Sequence, residues 1–377
     1  MHYFLQSIWL TDSDSPAKSM SFEFQTVDPQ SVRDEVVNFF WQHRKWPGET
    51  REDYYEIWDW RYSSLSEGPA LVHIARLRET GEMVGHIGVY RRTFRFGDVT
   101  LRVGVPGNLF AHPQWQSTIV GVRLVMFLRS LIQRGEFDAI LGFGNEVANG
   151  MLAHFGFAQL GTMHTYVDVR DVEPLLRRRN PVFTMMAPLI NTVTSVRRDL
   201  KAPRRAAGST NLEVRQLTPE QILEIDRSHW APTNRLVAWD SNRFLAQRYL
   251  MEPQTSRAMH GLFNLSTDTI EAYVVSDSTT RIKVWDCQVN PITIDPPSAI
   301  AAVATASWPN AETIQVPTIP QTRLARDLVA AGFLDRRSED LTEANTYVSA
   351  YWLPASPHAA VLSDPSCWNI WIGSRHY

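Results

Sequence analysis

Only two cysteines, Cys287 and Cys367, occur in 377 residues. They are too few for a disulfide scaffold, and neither stands at metal-ligand spacing from another cysteine or a histidine, so no metal is expected. A basic surplus is also missing: the formal net charge is −3, which removes the general electrostatic reason to track a phosphate backbone and argues against nucleic acid as partner. No apolar run is long enough to span a bilayer. The opening MHYFLQSIWLTDSDSPAKS has a short apolar patch but neither a basic lead nor a long apolar stretch; it does not read as a secretory signal, and a reducing cytoplasm is the expected location. What is present is an ordinary globular composition, 44% hydrophobic and 20% charged, in a chain long enough for two cores.

The most informative stretch is 103–157. Residues 103–110 suit a strand, 112–118 are turn-like, and Val122, Leu124, Val125, Leu128, Leu131 and Ile132 recur at helical spacing. The turn thus opens directly onto a helix N-terminus, where free N–H groups and the helix dipole suit a pyrophosphate and Gly121 permits close backbone approach. A strand over 140–144, Asn145 and a short helix ending in Gly156-Phe157 follow.

This ordered set resembles the GNAT superfamily of N-acyltransferases, whose cofactor loop reads Gln/Arg-x-x-Gly-x-Gly/Ala between a bulged central strand and its helix. Here the loop is Gln116-Ser117-Thr118-Ile119-Val120-Gly121: Ile119 replaces the first glycine and Gly121 keeps the second. A branched side chain at 119 is expected to crowd the phosphates or reshape the loop. The resemblance implies acetyl-CoA or another acyl-CoA as co-substrate, held by Phe110, Gln116, Ser117, Thr118, Ile119, Val120, Gly121, Val122 and Asn145. For Asn145 a helix N-cap is an equally good reading.

Along the chain, helices are predicted over 29–42 and 51–61 and antiparallel strands over 70–77, 83–94 and 98–110, with ETGE and RFGD supplying the turns. A strand near 163–169 is expected to close this first unit, residues 1–170. Residues 171–210 form a connector with four prolines and three arginine runs, helical around 182–196. It reads as a solvated connecting helix or, alternatively, as a basic face touching anionic lipid or a nucleotide-linked substrate. Residues 211–377 repeat the plan: strand and helix, a second helix, strands over 258–263, 270–275 and 282–289, a strand at 313–316, a helix over 321–331 ending in Gly332-Phe333, and a strand over 346–353. WDWRY at 58–62 and FLAQRY at 244–249 both end in Arg-Tyr before their strands. Such a repeat implies two similar packed units. The second lacks the loop: Pro291, Pro296 and Pro297 remove backbone donors, which disfavours a pyrophosphate cradle there. The expected fold class is α/β (α+β), two tandem GNAT-like domains, each a mixed, mostly antiparallel sheet flanked by helices, with the acyl-CoA site in the first and a degenerate second.

The pattern of the whole chain, including WDWRY, His112-Pro113 and the tail CWNIWIGSRHY, resembles a bacterial subgroup that includes amino-sugar N-acyltransferases of surface-polysaccharide pathways. That implies direct transfer of an acyl group, acetyl foremost, from CoA to the primary amine of an amino sugar in a ternary complex. Another small amine, or a catalytically silent binding protein of the same fold, are the alternatives. The chemistry needs a base for the amine, donors for the carbonyl oxygen and a proton for the leaving thiolate. The central strand offers Asn108 but no carboxylate; His86, His112, His154 and His164 are candidate bases, with His112 favoured. The family's tyrosine acid would fall at Leu152, and Tyr166 could replace it, although a structural role suits a buried tyrosine. Trp41, Trp58, Trp60, Tyr62 and Trp115 could stack an acceptor, with core packing the alternative for Trp41, Trp58 and Tyr62.

Overall fold

The computed structural model describes residues 21–64, 67–115, 119–179, 181–201, 211–230, 233–253, 255–277, 280–336 and 346–371. The chain begins with β1 (Phe22–Val27), α1 (Arg33–Gln42) and α2 (Arg51–Asp59). It continues through β2 (Leu71–Leu77), β3 (Met83–Phe96) and β4 (Val99–Ala111) to α3 (Ile119–Gln133), β5 (Ala139–Gly144) and α4 (Glu146–His154). Next come β6 (Ala158–Thr162), β7 (His164–Val169), α5 (Glu173–Arg179) and α6 (Ala187–Lys201). The later half runs β8 (Leu212–Gln216), α7 (Pro219–Leu223), β9 (Leu236–Ala238), α8 (Asn242–Tyr249), β10 (Arg257–Asn264), β11 (Thr269–Asp277) and β12 (Arg281–Val289). It ends with α9 (Pro296–Ser307), β13 (Thr313–Thr318), α10 (Arg323–Ala330), β14 (Leu334–Arg336), β15 (Tyr347–Tyr351), α11 (Ala359–Ser363) and β16 (Trp368–Asn369).

Two mixed, mostly antiparallel sheets result. One has the order β1-β2-β3-β4-β5-β15-β6, with β9 added to β3 and β16 to β9; the other has the order β14-β7-β13-β12-β11-β10-β8. Both contain an antiparallel meander and then one parallel step, β4 to β5 and β12 to β13. The predicted strand at 163–169 forms as β7, yet it does not close the first sheet: it pairs with β13 and β14. Conversely β15, the last long strand of the chain, inserts between β5 and β6. Alternation of apolar residues specifies a strand but not its neighbour. A division of the chain at 170 and 211 therefore crosses two exchanged strands.

Helices cover both faces of the first sheet. Val36, Val37, Phe39 and Phe40 of α1 and Tyr54, Ile57 and Trp58 of α2 pack on one face with Ile74 and Tyr90. The capping box of Thr50 and Asp53 fixes where α2 begins. On the other face α3 buries Val120, Leu124, Leu128 and Leu131 against Val84, Ile87 and Ile140. The second sheet packs α9 and α10 on one face and α7 and α8 on the other.

The halves are locked at a polar junction. Arg92 of β3 donates to both carboxylate oxygens of Asp240 at 2.8 and 2.5 Å, and both side chains are fully buried. The pair satisfies charges that burial alone would make very costly, and the Asp240 carboxylate helps keep the guanidinium protonated. The two Arg-Tyr repeats meet here as well: Arg61 and Arg248 both lie near the Trp60 ring, whose Nε1 donates to the Gln247 carbonyl at 2.8 Å.

Candidate active site

The strands β4 and β5 start as parallel neighbours at Val103↔Ala139 and Gly104↔Ile140, and their pairing ends there. Pro106 lacks an N–H to extend the ladder. Two residues further the register of β4 against β3 slips, from Gly88↔Gly107 to His86↔Phe110, so that Asn108 and Leu109 stand opposite one residue. A bulge bends and twists its strand. Among the described residues β4 has no ladder to β5 beyond Gly104, which leaves an opening in the sheet ahead of α3, the next helix of the chain.

Asn108 makes the bulge. Its φ of +57° is left-handed, where asparagine is tolerated better than most residues. Its amide is saturated by the protein: Oδ1 accepts from Trp46 Nε1 at 3.0 Å and Arg61 Nη1 at 2.6 Å, and Nδ2 donates to the hydroxyls of Tyr62 at 3.0 Å and Tyr90 at 3.1 Å. No hydrogen of this amide is left for a substrate carbonyl, so Asn108 shapes the strand. The imidazole of His86 supports the same turn, its Nδ1 lying 3.0 Å from the Asn108 carbonyl. A carbonyl can only accept, so Nδ1 carries the proton. His86 is completely buried among Phe40, Trp58 and Tyr62, and burial pushes its pKa down to about 4.

His112 ends β4. Its Nδ1 accepts from the Gln114 N–H at 3.2 Å, which occupies the lone pair of the neutral ring. Perpendicular to it, 4.8 Å between centroids, stands His43, the residue that caps α1. His43 is half-buried, and burial first, then the neighbouring His112 and Lys45, lower its pKa from the usual 6.5. It is neutral at physiological pH. No local pattern signals this pair, because His43 lies in no motif and 69 positions before His112. Phe110 packs beside His43 and against Phe39 and Phe40, with Lys45 Nζ 4.3 Å from its ring centre.

Of the expected cofactor residues, Gln116, Ser117 and Thr118 lie outside the described residues. Ile119 and Val122 are solvent-exposed on the first turn of α3, whereas Val120 is buried in the core beneath them. The Ile119 side chain therefore projects away from the sheet. A Cβ on Gly121 would meet nothing nearer than the Met151 sulfur at 4.0 Å, so the helix start is open toward α4. Asn145 begins α4 as its N-cap, with Oδ1 accepting from the Ala148 N–H at 2.9 Å. The first turns of α3 and α4 present Ile119, Val122 and Val147 as exposed apolar surface.

Other expected residues sit elsewhere. Tyr166 is on β7, buried in the core of the second sheet opposite Val316, and the structure does not bring it to the β4 opening. His164 faces Asp335 at 3.0 Å in that same sheet, and His154 is exposed at the end of α4. Leu152 is buried beside α3. Trp58 and Tyr62 stack on each other at 4.0 Å within the core, Trp60 is buried at the junction, and Trp41 and Trp115 pack at core margins. In the second half, the Asp295 carboxylate caps α9 through the Ser298 N–H at 2.8 Å and Pro296 and Pro297 follow, which leaves that helix start closed to an anion. A cavity of about 590 Å³ lies at the seam of the halves, lined by Trp230, Arg235, Trp239, Cys287, Ile294 and Arg323. Its β9 wall pairs with Phe94 and Arg95 of β3, roughly 25 Å along that strand from the bulge, so it is not part of the β4 opening.

No protein-family model matches the sequence, and no curated protein matches it. Solved structures do. The fold is that of the GCN5-related N-acetyltransferases, a class whose members include one from Kribbella flavida that superposes with a TM-score of 0.53 at 13% identity, over 91% of this chain and 74% of that one. Eis1 from Mycobacterium abscessus gives 0.52 at 14% identity, over 91% and 76%. The N-myristoyltransferase of Saccharomyces cerevisiae, solved with myristoyl-CoA and inhibitors, gives 0.50 at 13%, over 91% and 82%. At such identities the likeness is one of fold.

Proposed function

We propose that this chain is an N-acyltransferase that moves an acyl group, acetyl foremost, from acyl-CoA to a primary amine. The observation that carries the reading is the break in the β4–β5 ladder beyond Gly104, next to the Asn108 bulge and followed in the chain by α3. A strand pair splayed in this way offers unpaired backbone groups to an extended amide-bearing arm. Acyl-CoA would be held by the 116–122 segment and supplies the thioester to be attacked. The chain's own part is to remove a proton from the amine. His43 is suited to it, being neutral, half-exposed and free of hydrogen bonds at either nitrogen among the described residues, whereas the Nδ1 lone pair of His112 is already engaged. As the N–C bond forms and the C–S bond breaks, the proton taken by the imidazole balances the thiolate released. His112 and Phe110 hold the His43 ring in place.

The finer reading, that the amine belongs to an amino sugar, nucleotide-linked or destined for a surface glycan, rests on the resemblance in order of elements. The first unit would then carry the acyl-CoA site and the degenerate second unit would brace it. Calorimetric titration with acetyl-CoA and with free CoA, repeated on Gly121→Glu, tests the site. Space around Gly121 lets the variant fold, so micromolar binding that disappears with the added carboxylate supports the reading. Absence of binding in the parent protein would turn the fold into a silent scaffold.

A further inference from the structure

The connector carries its apolar face on the wrong side for a packed helix. The inner side of α6 is held by Ala187, which is buried, and by Asn191, whose Oδ1 accepts from the Val172 N–H and whose Nδ2 donates to Asp171, both at 2.9 Å. The opposite side presents Met185, Leu189, Val193 and Val196, respectively 88, 64, 60 and 52% exposed. The last three recur at helical spacing, and Val182 and Met186 extend the stripe. Thr192 adds little polarity to it, because its hydroxyl donates to the Pro188 carbonyl at 2.8 Å. Residues 182–196 contain no charged side chain at all, while arginines stand at 177–179 before them and Arg197, Arg198, Lys201, Arg204 and Arg205 after them. One of these, Arg177, is paired with Glu173 at 2.5 Å. The connector 171–210 holds eight basic residues against three acidic ones, in a chain whose overall charge is −3.

An exposed apolar stripe flanked by cations has one partner that matches both features. We propose that α6 and the turn before it dock on an anionic lipid bilayer, lying in the interface with Met185, Leu189, Val193 and Val196 among the acyl chains, a location the connector's basic surplus favours by its charge. A second copy of the chain is disfavoured because it would bring two basic connectors together. The docking is peripheral: among the described residues no helix is long and apolar enough to cross a membrane. This inference is independent of the acyl-transfer reading, and neither stands or falls with the other.

The test is co-sedimentation of the full chain with vesicles of phosphatidylcholine alone and of phosphatidylcholine with about one-third phosphatidylglycerol. Binding to the anionic vesicles is expected to exceed that to neutral ones by at least about ten-fold and to fall steeply with salt. The triple variant Met185→Ser, Leu189→Ser, Val193→Ser touches only exposed positions; it is expected to keep its unfolding temperature and lose roughly ten-fold or more in vesicle binding. Undiminished binding by this variant overturns the proposal. So does the absence of binding by the parent chain, including the case in which deletion of residues 1–20 uncovers it, since the stripe would then be covered by the chain's own start. A concentration-dependent dimer abolished by the triple variant, without lipid binding, assigns the stripe to a second copy and also overturns it.

Discussion

Replacing Asn108 probes the bulge next to the opening between β4 and β5. Alanine at this position must hold φ near +57°, which costs about 1–2 kcal/mol for a residue with a Cβ. It also leaves four partners behind. The Trp46 N–H and the Tyr62 and Tyr90 hydroxyls each lose a neutral bond worth roughly 1 kcal/mol, and buried Arg61 loses a charge-assisted one worth about 1.5–3 kcal/mol. Water entering the partly buried site returns a share, so Asn108→Ala is expected to lose about 4–7 kcal/mol, a large part of the roughly 5–15 kcal/mol that holds a domain folded. Asn108→Gly removes the same bonds but not the backbone freedom, and should be about 1–2 kcal/mol more stable than the alanine variant. Urea unfolding followed by tryptophan fluorescence measures all three proteins. Equal stability of the glycine and alanine variants would falsify the strain argument, and an alanine variant within about 1 kcal/mol of the parent would show that the four bonds contribute no more than a single ordinary one.

His43→Gln is expected to lower kcat/KM by about 10²–10⁴-fold and to remove an acid limb whose midpoint lies below the ordinary histidine value of 6.5, with a smaller loss for His112→Gln; free-thiol release across pH is the assay, and an unchanged profile in the His43 variant rejects it as the base. Acid should destabilise the fold through His86. Its ring stays neutral to about pH 4 when folded but accepts a proton near 6.5 when unfolded, so this contribution is complete above 6.5 and is lost as pH falls to 4, amounting to about 3 kcal/mol. Asp286, raised to about 6 by burial, works in the opposite sense, since the folded state takes up its proton first and gains as pH falls from 6 toward 3.8. His86→Gln should therefore flatten or reverse the slope between pH 6.5 and 4, and a slope equal to the parent's would remove His86 as its cause. Finally, a fragment of residues 1–210 lacks β15 and leaves the facing edges of β5 and β6 unpaired; it is expected to aggregate or to unfold without a cooperative transition, and a soluble fragment with a sharp transition would contradict the exchange.

Local signals were legible where they were strong. The amphipathic run from Val122 to Ile132 forms α3, the meander of 70–110 forms β2, β3 and β4, and Asn145 caps α4 as one of its two readings held. Pro296 and Pro297 stand in the first turn of α9, where proline fits a helix start. The role of Asn108 was not legible, because its four hydrogen-bond partners come from positions 46, 61, 62 and 90, and no spacing rule links them. Tyr166 was misplaced for the same kind of reason: its strand was right and its sheet was not.

By itself the sequence determined the type and order of most of the longer helices and strands, since hydrophobic period and turn chemistry act over a few residues, while β1, β6 and the short β9, β14 and β16 went unread. Only the tertiary structure decided that β7 leaves for the second sheet while β15 enters the first, that His43 meets His112, and that Arg92 finds Asp240. Each of these joins residues far apart in the chain, through backbone edges and buried charges that any complementary partner could have satisfied. The choice among such partners is made by the packing of the whole molecule.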